Sequence, residues 1–230
     1  MEIEFSTNEE YLNLKDNHPT PIKLNMPDWF KKLKHGDKHI EQVFEKTVKG
    51  CVPFLETLTN GYLLKVPVDY IIKSGTTKNE EGKPVLSMAT SLDASEEHNL
   101  WDRLGLNINV APPHNPKQLE GSPWVEQNKN LPFPKIMNPW RIKTPPGYSC
   151  LFLPPMNNEE QDFFSIIPGI VHTDSHLLEI NFPIRINMEK YGYTELNIAK
   201  GTPYVQIIPF KRDSWKMKIK SLTTEQMKSK

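Results

Sequence analysis

The chain has 230 residues, enough for one large domain with a hydrophobic core. Its 28 basic and 28 acidic residues cancel, which excludes a global field that attracts nucleic acid or a membrane surface. The two cysteines, Cys51 and Cys150, exclude a disulfide framework, and no apolar stretch is long enough to span a membrane. Both cysteines stand in apolar runs, and the chain begins with the acidic Met1–Glu4. We therefore expect an unexported cytoplasmic protein with both thiols in its core.

The N-terminal half predicts an extended arm followed by short, mixed elements. Prolines at 19, 21 and 27 favour an extended arm over residues 1–27. Helical spacing at Ile40, Val43 and Phe44 predicts a helix ending near residue 49, and a second helical stretch covers residues 51–59. The pattern then predicts a hairpin with strands at 66–73 and 85–91, a short helix at 96–105 and a strand at 106–110. Residues 114–134 form a long irregular segment that we expect Trp124 and Phe133 to hold in place by packing.

The last third predicts a series of β-strands. Leu178, Ile180, Phe182, Ile184 and Ile186 alternate with polar residues or proline, which indicates one buried and one exposed face. Pro183 within this strand favours an edge position or a bulge. A second alternation, of Trp215, Met217 and Ile219 with Lys216, Lys218 and Lys220, predicts a solvent-facing edge strand.

These patterns predict a mainly β protein, α+β at its N-terminus, with short helices and a jelly-roll-like β-sandwich as one possible architecture. A single β-rich domain covers residues 28–220, and a polar tail covers residues 221–230. The five tryptophans are predicted core anchors: Trp29, Trp101, Trp124, Trp140 and Trp215. Five carboxylates in residues 1–16 and seven basic side chains in residues 209–230 suit a contact between ends or between subunits, although solvated termini explain them as well.

One loop gathers candidate catalytic groups, His172 and Asp174, together with His176. On an extended segment alternate residues point the same way, so these three side chains are candidate ligands for a divalent metal. A turn in which Asp174 or Thr173 caps its own backbone explains the loop equally well, and no metal or other cofactor is favoured. Cys150 with His172 is a further candidate nucleophile and base, against the simpler interpretation of a buried thiol.

Five segments resemble an uncharacterised family of phage and bacterial proteins: 47–54, 138–149, 169–174, 181–183 and 201–212. The resemblance covers most of residues 26–216. It implies kinship without an activity, and the loop of that family has Asp where this chain has His172. If a phage encodes the chain, we expect it in the host cytoplasm or in the virion.

Residues 140–212 also resemble the β-clip fold of dUTPases and dCTP deaminases. The motifs are Pro146-Gly147-Tyr148, the loop 169–174, and the strand 201–206 that ends in Gln206. The resemblance implies a trimer with sites between subunits. The phosphate-binding position of these enzymes falls on residues 153–157 here, which offer Asn157 and no arginine, and the carboxylate that activates water falls on His172. The tyrosine that stacks on deoxyribose falls on Ser175.

Three functional interpretations follow. The first is a non-enzymatic binding or assembly protein with phage or other protein partners. The second is a nucleotide-binding or nucleotide-hydrolysing enzyme or sensor, with candidate ligand-binding residues Asn157, Asp174, Arg185 and Gln206. The third is a metal-dependent enzyme that uses His172, Asp174 and His176. On the present patterns the first is favoured, because the groups that dUTPases need are missing.

Overall fold

The protein is mainly β, with several antiparallel sheets and only short helices, as the sequence predicts. The computed structural model describes residues 1–36, 47–90, 113–157, 162–223 and 227. The strands are β1 (Glu4–Ser6), β2 (Thr20–Pro21), β3 (Tyr62–Lys65), β4 (Tyr70–Lys78), β5 (Pro84–Thr90), β6 (Lys135–Ile136), β7 (Arg141–Lys143), β8 (Tyr148–Leu153), β9 (Phe164–Ile166), β10 (Gly169–Val171), β11 (Phe182–Ile186), β12 (Thr194–Ile198) and β13 (Pro203–Lys211). The helices are α1 (Glu9–Leu12), α2 (Asp28–Lys32), α3 (Val52–Thr57), α4 (Pro123–Gln127) and α5 (Met188–Tyr191). Single 3₁₀ turns cover Lys15–Asn17, Ile22–Asn25, Val48–Gly50 and Pro116–Leu119.

The largest sheet has five strands in the order β10-β8-β13-β3-β2. Its central pair, β8 and β13, runs antiparallel from the Gln206–Leu153 pair to the Lys211–Tyr148 pair. Cys150 and Phe152 of β8 and Val205 and Ile207 of β13 are buried and supply the core of this sheet. The smaller sheets have the orders β6-β11-β9, β12-β4-β5 and β1-β7, and their buried residues join one continuous core.

The strand predicted from Leu178 onward is shorter than the alternation suggests. Phe182, Ile184 and Ile186 of β11 are buried, which confirms the predicted core face for these residues. Leu178 is 64% exposed and lies before the strand, so the pattern overestimates its length. The edge position predicted from Pro183 is wrong, because β11 pairs with β6 on one side and β9 on the other. Pro183 pairs with β6, and the β9 pairing begins at the next residue, Ile184.

The hairpin of β4 and β5 is longer than predicted, since β4 continues through Lys78 before the chain turns. The Asn79 side chain makes this turn by accepting hydrogen bonds from the amides of Glu81 and Lys83. The register shifts within β4 next to Gly75, whose φ is +66°. A Cβ at Gly75 would lie 1.9 Å from the Tyr193 ring, so both the backbone conformation and the packing require glycine here.

The N-terminal residues lie against the body of the protein. β1 pairs with β7 and β2 pairs with β3, while the Tyr11 and Ile22 side chains are 1% and 0% exposed. Tyr11 packs edge-on against Trp140, with 5.5 Å between the ring centroids. Residues 1–27, which the prolines predict to be an extended arm, therefore contribute both strands and core side chains.

Several other predictions have clear outcomes. The helix expected within residues 51–59 is confirmed as α3, and in the long segment 114–134 Phe133 is fully buried. Cys150 is buried, but Cys51 is exposed, because it precedes α3, a helix without buried residues. Among the tryptophans, Trp140 is buried, whereas Trp29 and Trp215 are exposed, so the core-anchor prediction is wrong for those two.

Some predicted elements lie outside the described residues: the helix through Ile40, Val43 and Phe44, the elements at 96–110, and Trp101. None of the described helices is long and apolar enough to cross a membrane.

Candidate functional site

The loop after β10 holds Asp174 in an ion pair. The Asp174 carboxylate accepts hydrogen bonds from the Gly147 amide, at 2.9 Å, and from both terminal nitrogens of Arg212. Arg212 Nη1 also donates to the Tyr148 carbonyl at 2.7 Å and to Ser149 Oγ at 2.9 Å. The Asp174 side chain is 11% exposed and that of Arg212 is 33% exposed. Asp174 therefore ties the loop to the start of β8 and to the end of β13.

This arrangement fixes the charge of Asp174. The Arg212 hydrogen bonds, and next the Gly147 amide, hold the pKa of the Asp174 carboxyl well below its usual range. An ionised carboxylate that already accepts three hydrogen bonds has little capacity left for a water or a ligand. Asp174, one of the four candidate ligand-binding residues, thus uses its carboxylate for hydrogen bonds within the protein.

The histidines of the loop stand apart from this ion pair. The His172 carbonyl accepts from the amides of Ser175 and His176, which closes a turn, and both imidazoles lie on exposed residues. In the ranges that the structure describes, no three His, Cys, Asp or Glu side chains gather closely enough to hold a metal ion. The three candidates His172, Asp174 and His176 therefore share a loop without forming a common site.

Cys150 faces the interior rather than His172. Thr173 Oγ1 donates to Cys150 Sγ at 3.4 Å, and the thiol is buried. Burial raises the pKa of the Cys150 thiol, which keeps it protonated. The candidate pair of Cys150 as nucleophile and His172 as base is not assembled, and the interpretation as a buried thiol agrees with the structure.

Gln206 and Asn157 meet at the end of α3. The fully buried Gln206 amide donates to the carbonyls of Thr57 and Asn60, and its oxygen accepts from the Met156 amide at 2.9 Å. Asn157 Nδ2 donates to Thr57 Oγ1 at 2.7 Å. Both candidate ligand-binding residues thus fasten α3 and the turn after β8 to β13, and the Gln206 amide has both ends occupied.

Arg185 lies elsewhere, in a pocket beside β9 and β11. Its Nε donates to Ser165 Oγ at 2.7 Å, and its guanidinium carbon lies 5.7 Å from the centroid of the Trp124 ring. The pocket has a volume of about 270 Å³ and a mostly polar lining. Arg185 lines this pocket, and no described residue accepts a hydrogen bond from either of its Nη groups. No hydrogen bond or ion pair joins it to Asp174 among the described residues.

Two further features of the surface are the chain after β13 and the edge strand β10. Trp215, Met217 and Ile219 are 92%, 88% and 85% exposed, and the chain has no regular structure there. The strand predicted for these residues is therefore absent from the single chain. β10 forms one edge of the five-stranded sheet, and Ile170 within it is exposed. Leu177 and Leu178, which follow the loop after β10 in the chain, are exposed as well.

Comparison with known proteins adds no assignment, since no family model, no curated protein and no solved structure matches the chain. The candidate sites accordingly depend on their geometry. Two partners in them were not identified from the sequence, Arg212 for Asp174 and Trp124 for Arg185. Arg212 lies 38 positions from Asp174 in a row of basic residues typical of a solvated face, so no local signal marks it.

Proposed function

We propose that this protein is a non-enzymatic binding and assembly protein, in which residues 213–222 of one copy dock on the β10 side of a second copy. The observation that carries the proposal is the near-complete exposure of Trp215, Met217 and Ile219. Burying a large apolar side chain contributes about 1.5–3 kcal/mol. Three such side chains with the spacing of one strand face strongly favour a bound state over a solvated one.

Hydrogen bonds hold the residue just before this segment, Arg212, against the folded domain. The Arg212 amide donates to the Gly147 carbonyl at 2.8 Å, and the Arg212 side chain is held by Asp174 and β8. The segment therefore begins at a fixed position and direction, which lowers the entropy that docking has to overcome.

The β10 side supplies a matching surface. In the part of the chain that the structure describes, β10 pairs only with β8, so its outer edge is free to accept a strand. Ile170 of β10 is 60% exposed, and Leu177 and Leu178, which follow the next loop, are 73% and 64% exposed. An extended segment with apolar residues on one face and lysines on the other fits such an edge, with the lysines in solvent.

A second copy is the occupant that uses both surfaces. Every copy carries one segment and one edge, so association between copies covers the exposed apolar residues of both kinds. Each large side chain of the segment presents on the order of 150 Å². Two docked segments and the surfaces that they cover approach the roughly 1,200 Å² at which stable interfaces begin.

The engagement of Asp174 and Gln206 within the protein weighs against a hydrolytic site in this region. The resemblance to the β-clip enzymes predicts a trimer, and hence particles of three times 26.6 kDa.

The first test is the molar mass in solution, measured by light scattering over a range of micromolar concentrations. We expect the wild type to associate. The combined substitution of Trp215→Ser, Met217→Ser and Ile219→Ser is expected to weaken association by roughly a hundredfold or more. Leu177→Ser with Leu178→Ser alters the acceptor side and is expected to have the same effect.

Two controls define the outcome. Replacing Lys216, Lys218 and Lys220 with Gln changes the other face of the same segment and is expected to leave a stable assembly. A mixture of the segment variant with the acceptor variant restores one intact contact, so it is expected to form heteromeric complexes. A monomeric wild type, or an assembly that survives the segment variant, would overturn the proposal.

A further inference from the structure

The pocket beside β11 holds an arginine that has no carboxylate partner in the described ranges. Arg141 pairs with Glu179 and Arg212 pairs with Asp174, whereas Arg185 donates through Nε to the neutral Ser165. Among the described residues, none accepts a hydrogen bond from either Nη group of Arg185. Two parallel donors of a guanidinium fork are therefore left for a ligand.

The Arg185 side chain is held in place before any ligand binds. Its Nε–Ser165 Oγ hydrogen bond fixes one edge of the guanidinium, and the Trp124 ring lies beside it at 5.7 Å. β11 is paired with β9 next to it, through the register pair Arg185–Ser165. A fork fixed in this way loses little conformational entropy when it binds an anion.

The two acidic residues of the pocket, Asp162 and Glu189, make no hydrogen bond to Arg185. Asp162 is engaged at both oxygens, by Lys190 Nζ and by the Tyr191 hydroxyl, and these contacts lower the pKa of its carboxyl. Glu189 lies on the exposed side of α5. The remaining polar lining consists of the uncharged Gln127, Ser165 and Asn187. Among the described residues, no carboxylate thus accepts a hydrogen bond from the partly buried Arg185 cation, and an anion can fill this position.

We propose that this pocket binds an oxyanion, the phosphate or carboxylate group of a small ligand, through bidentate hydrogen bonds from Arg185. The volume of about 270 Å³ suits an oxyanion with a small attached group rather than an extended chain. The neutral side chains of the lining supply donors and acceptors for that group. The site is independent of the assembly surface, because it uses none of the residues of the C-terminal segment or of β10.

Isothermal titration calorimetry tests the proposal with three probes, inorganic phosphate, uridine monophosphate and citrate. We expect at least one to bind the wild type. Uridine monophosphate that binds tenfold more tightly than phosphate identifies a nucleotide-like ligand, tighter citrate identifies a carboxylate, and equal affinities identify a site for the oxyanion alone. Absence of binding by all three at millimolar concentration would overturn the proposal.

Variants then assign the binding to Arg185. Arg185→Gln removes the fork and is expected to weaken binding at least about tenfold. Arg185→Lys keeps the charge but not the bidentate geometry and is expected to weaken binding as well. Ser165→Asp places a carboxylate against Arg185 and is expected to abolish binding in a protein that remains folded. Arg141→Gln removes the same charge from a surface ion pair and should bind like the wild type. Equal losses in Arg141→Gln and Arg185→Gln would show unspecific attraction and contradict the assignment.

Discussion

At the scale of single residues, we expect the Asp174–Arg212 ion pair to make the free energy of unfolding depend on pH. The folded-state pKa of Asp174 lies below its unfolded-state value of about 4. Its contribution to the free energy of unfolding is therefore complete above about pH 5 and is lost as the pH falls below about 4. Asp174→Asn is expected to lower the thermal midpoint by several degrees at pH 7, with a difference from the wild type that shrinks in acid. Thermal unfolding followed by circular dichroism from pH 3 to pH 8 measures both effects.

Asp28→Asn is the matched control for this substitution. Asp28 also pairs with a cation, Lys31, but the two side chains are 76% and 56% exposed. Exposed pairs of this kind contribute little to stability. Equal losses for Asp28→Asn and Asp174→Asn, or a loss that does not depend on pH, would contradict the role assigned to the Asp174 pair.

The same residues show how far a sequence identifies a site. The loop from Gly169 to His176 stands out because it gathers polar groups, and Asp174 is one of the candidates that it contains. That its partner is Arg212 depends on β8 lying between β10 and β13, which local patterns do not contain. For Arg185, the sequence does not show that the guanidinium has unused donors. The structure shows it, because the described carboxylates that pair with arginine pair with Arg141 and Arg212 instead.

At the scale of elements, Gln206 joins β13, α3 and the turn after β8. Gln206→Leu keeps a similar side-chain volume but leaves the Met156 amide and the carbonyls of Thr57 and Asn60 without this partner. Each unsatisfied buried group costs about 1–3 kcal/mol, so we expect the free energy of unfolding to fall by roughly 3 kcal/mol or more. Urea unfolding measures the loss. Asn157→Gly removes an exposed hydrogen bond to the same helix at a position whose φ of +55° glycine adopts freely, and it should cost less than about 1 kcal/mol. If Gln206→Leu costs no more than Asn157→Gly, the Gln206 hydrogen bonds do not stabilise the fold.

Element boundaries follow from the sequence only in part, for physical reasons. Alternation locates the buried face of β11, because that strand packs one face on the core. It fails for β13, where Tyr204, Val205 and Gln206 are all buried and no alternation arises. It also predicts a strand at Trp215–Ile219, where the pattern is strong but the described part of the chain provides no pairing partner. A period-two pattern shows that a segment has one apolar face. It does not show whether the same chain provides the surface that covers this face.

At the scale of the whole molecule, the two ends of the chain differ in their relation to the core. The N-terminal residues contribute Tyr11 and Ile22 to the interior and add β1 and β2 to two sheets. The residues after Arg212 contribute no buried side chain in the described part of this end. The acidic end therefore belongs to the folded domain, whereas the basic end is available for contacts between copies.

Truncation of each end tests this difference. Removing residues 1–27 exposes Trp140, leaves Leu63 without its strand partner and deletes two large core side chains, Tyr11 and Ile22, each contributing about 1.5–3 kcal/mol. Because a domain of this kind is stable by only about 5–15 kcal/mol, we expect this variant to be unfolded or to melt far below the wild type. Removing residues 214–230 is expected to leave the circular dichroism spectrum and the melting temperature nearly unchanged. The comparison is made at a dilution where light scattering shows single chains, since association itself raises the melting temperature. A stable fold without residues 1–27, or unfolding on loss of residues 214–230, would reverse the roles assigned to the two ends.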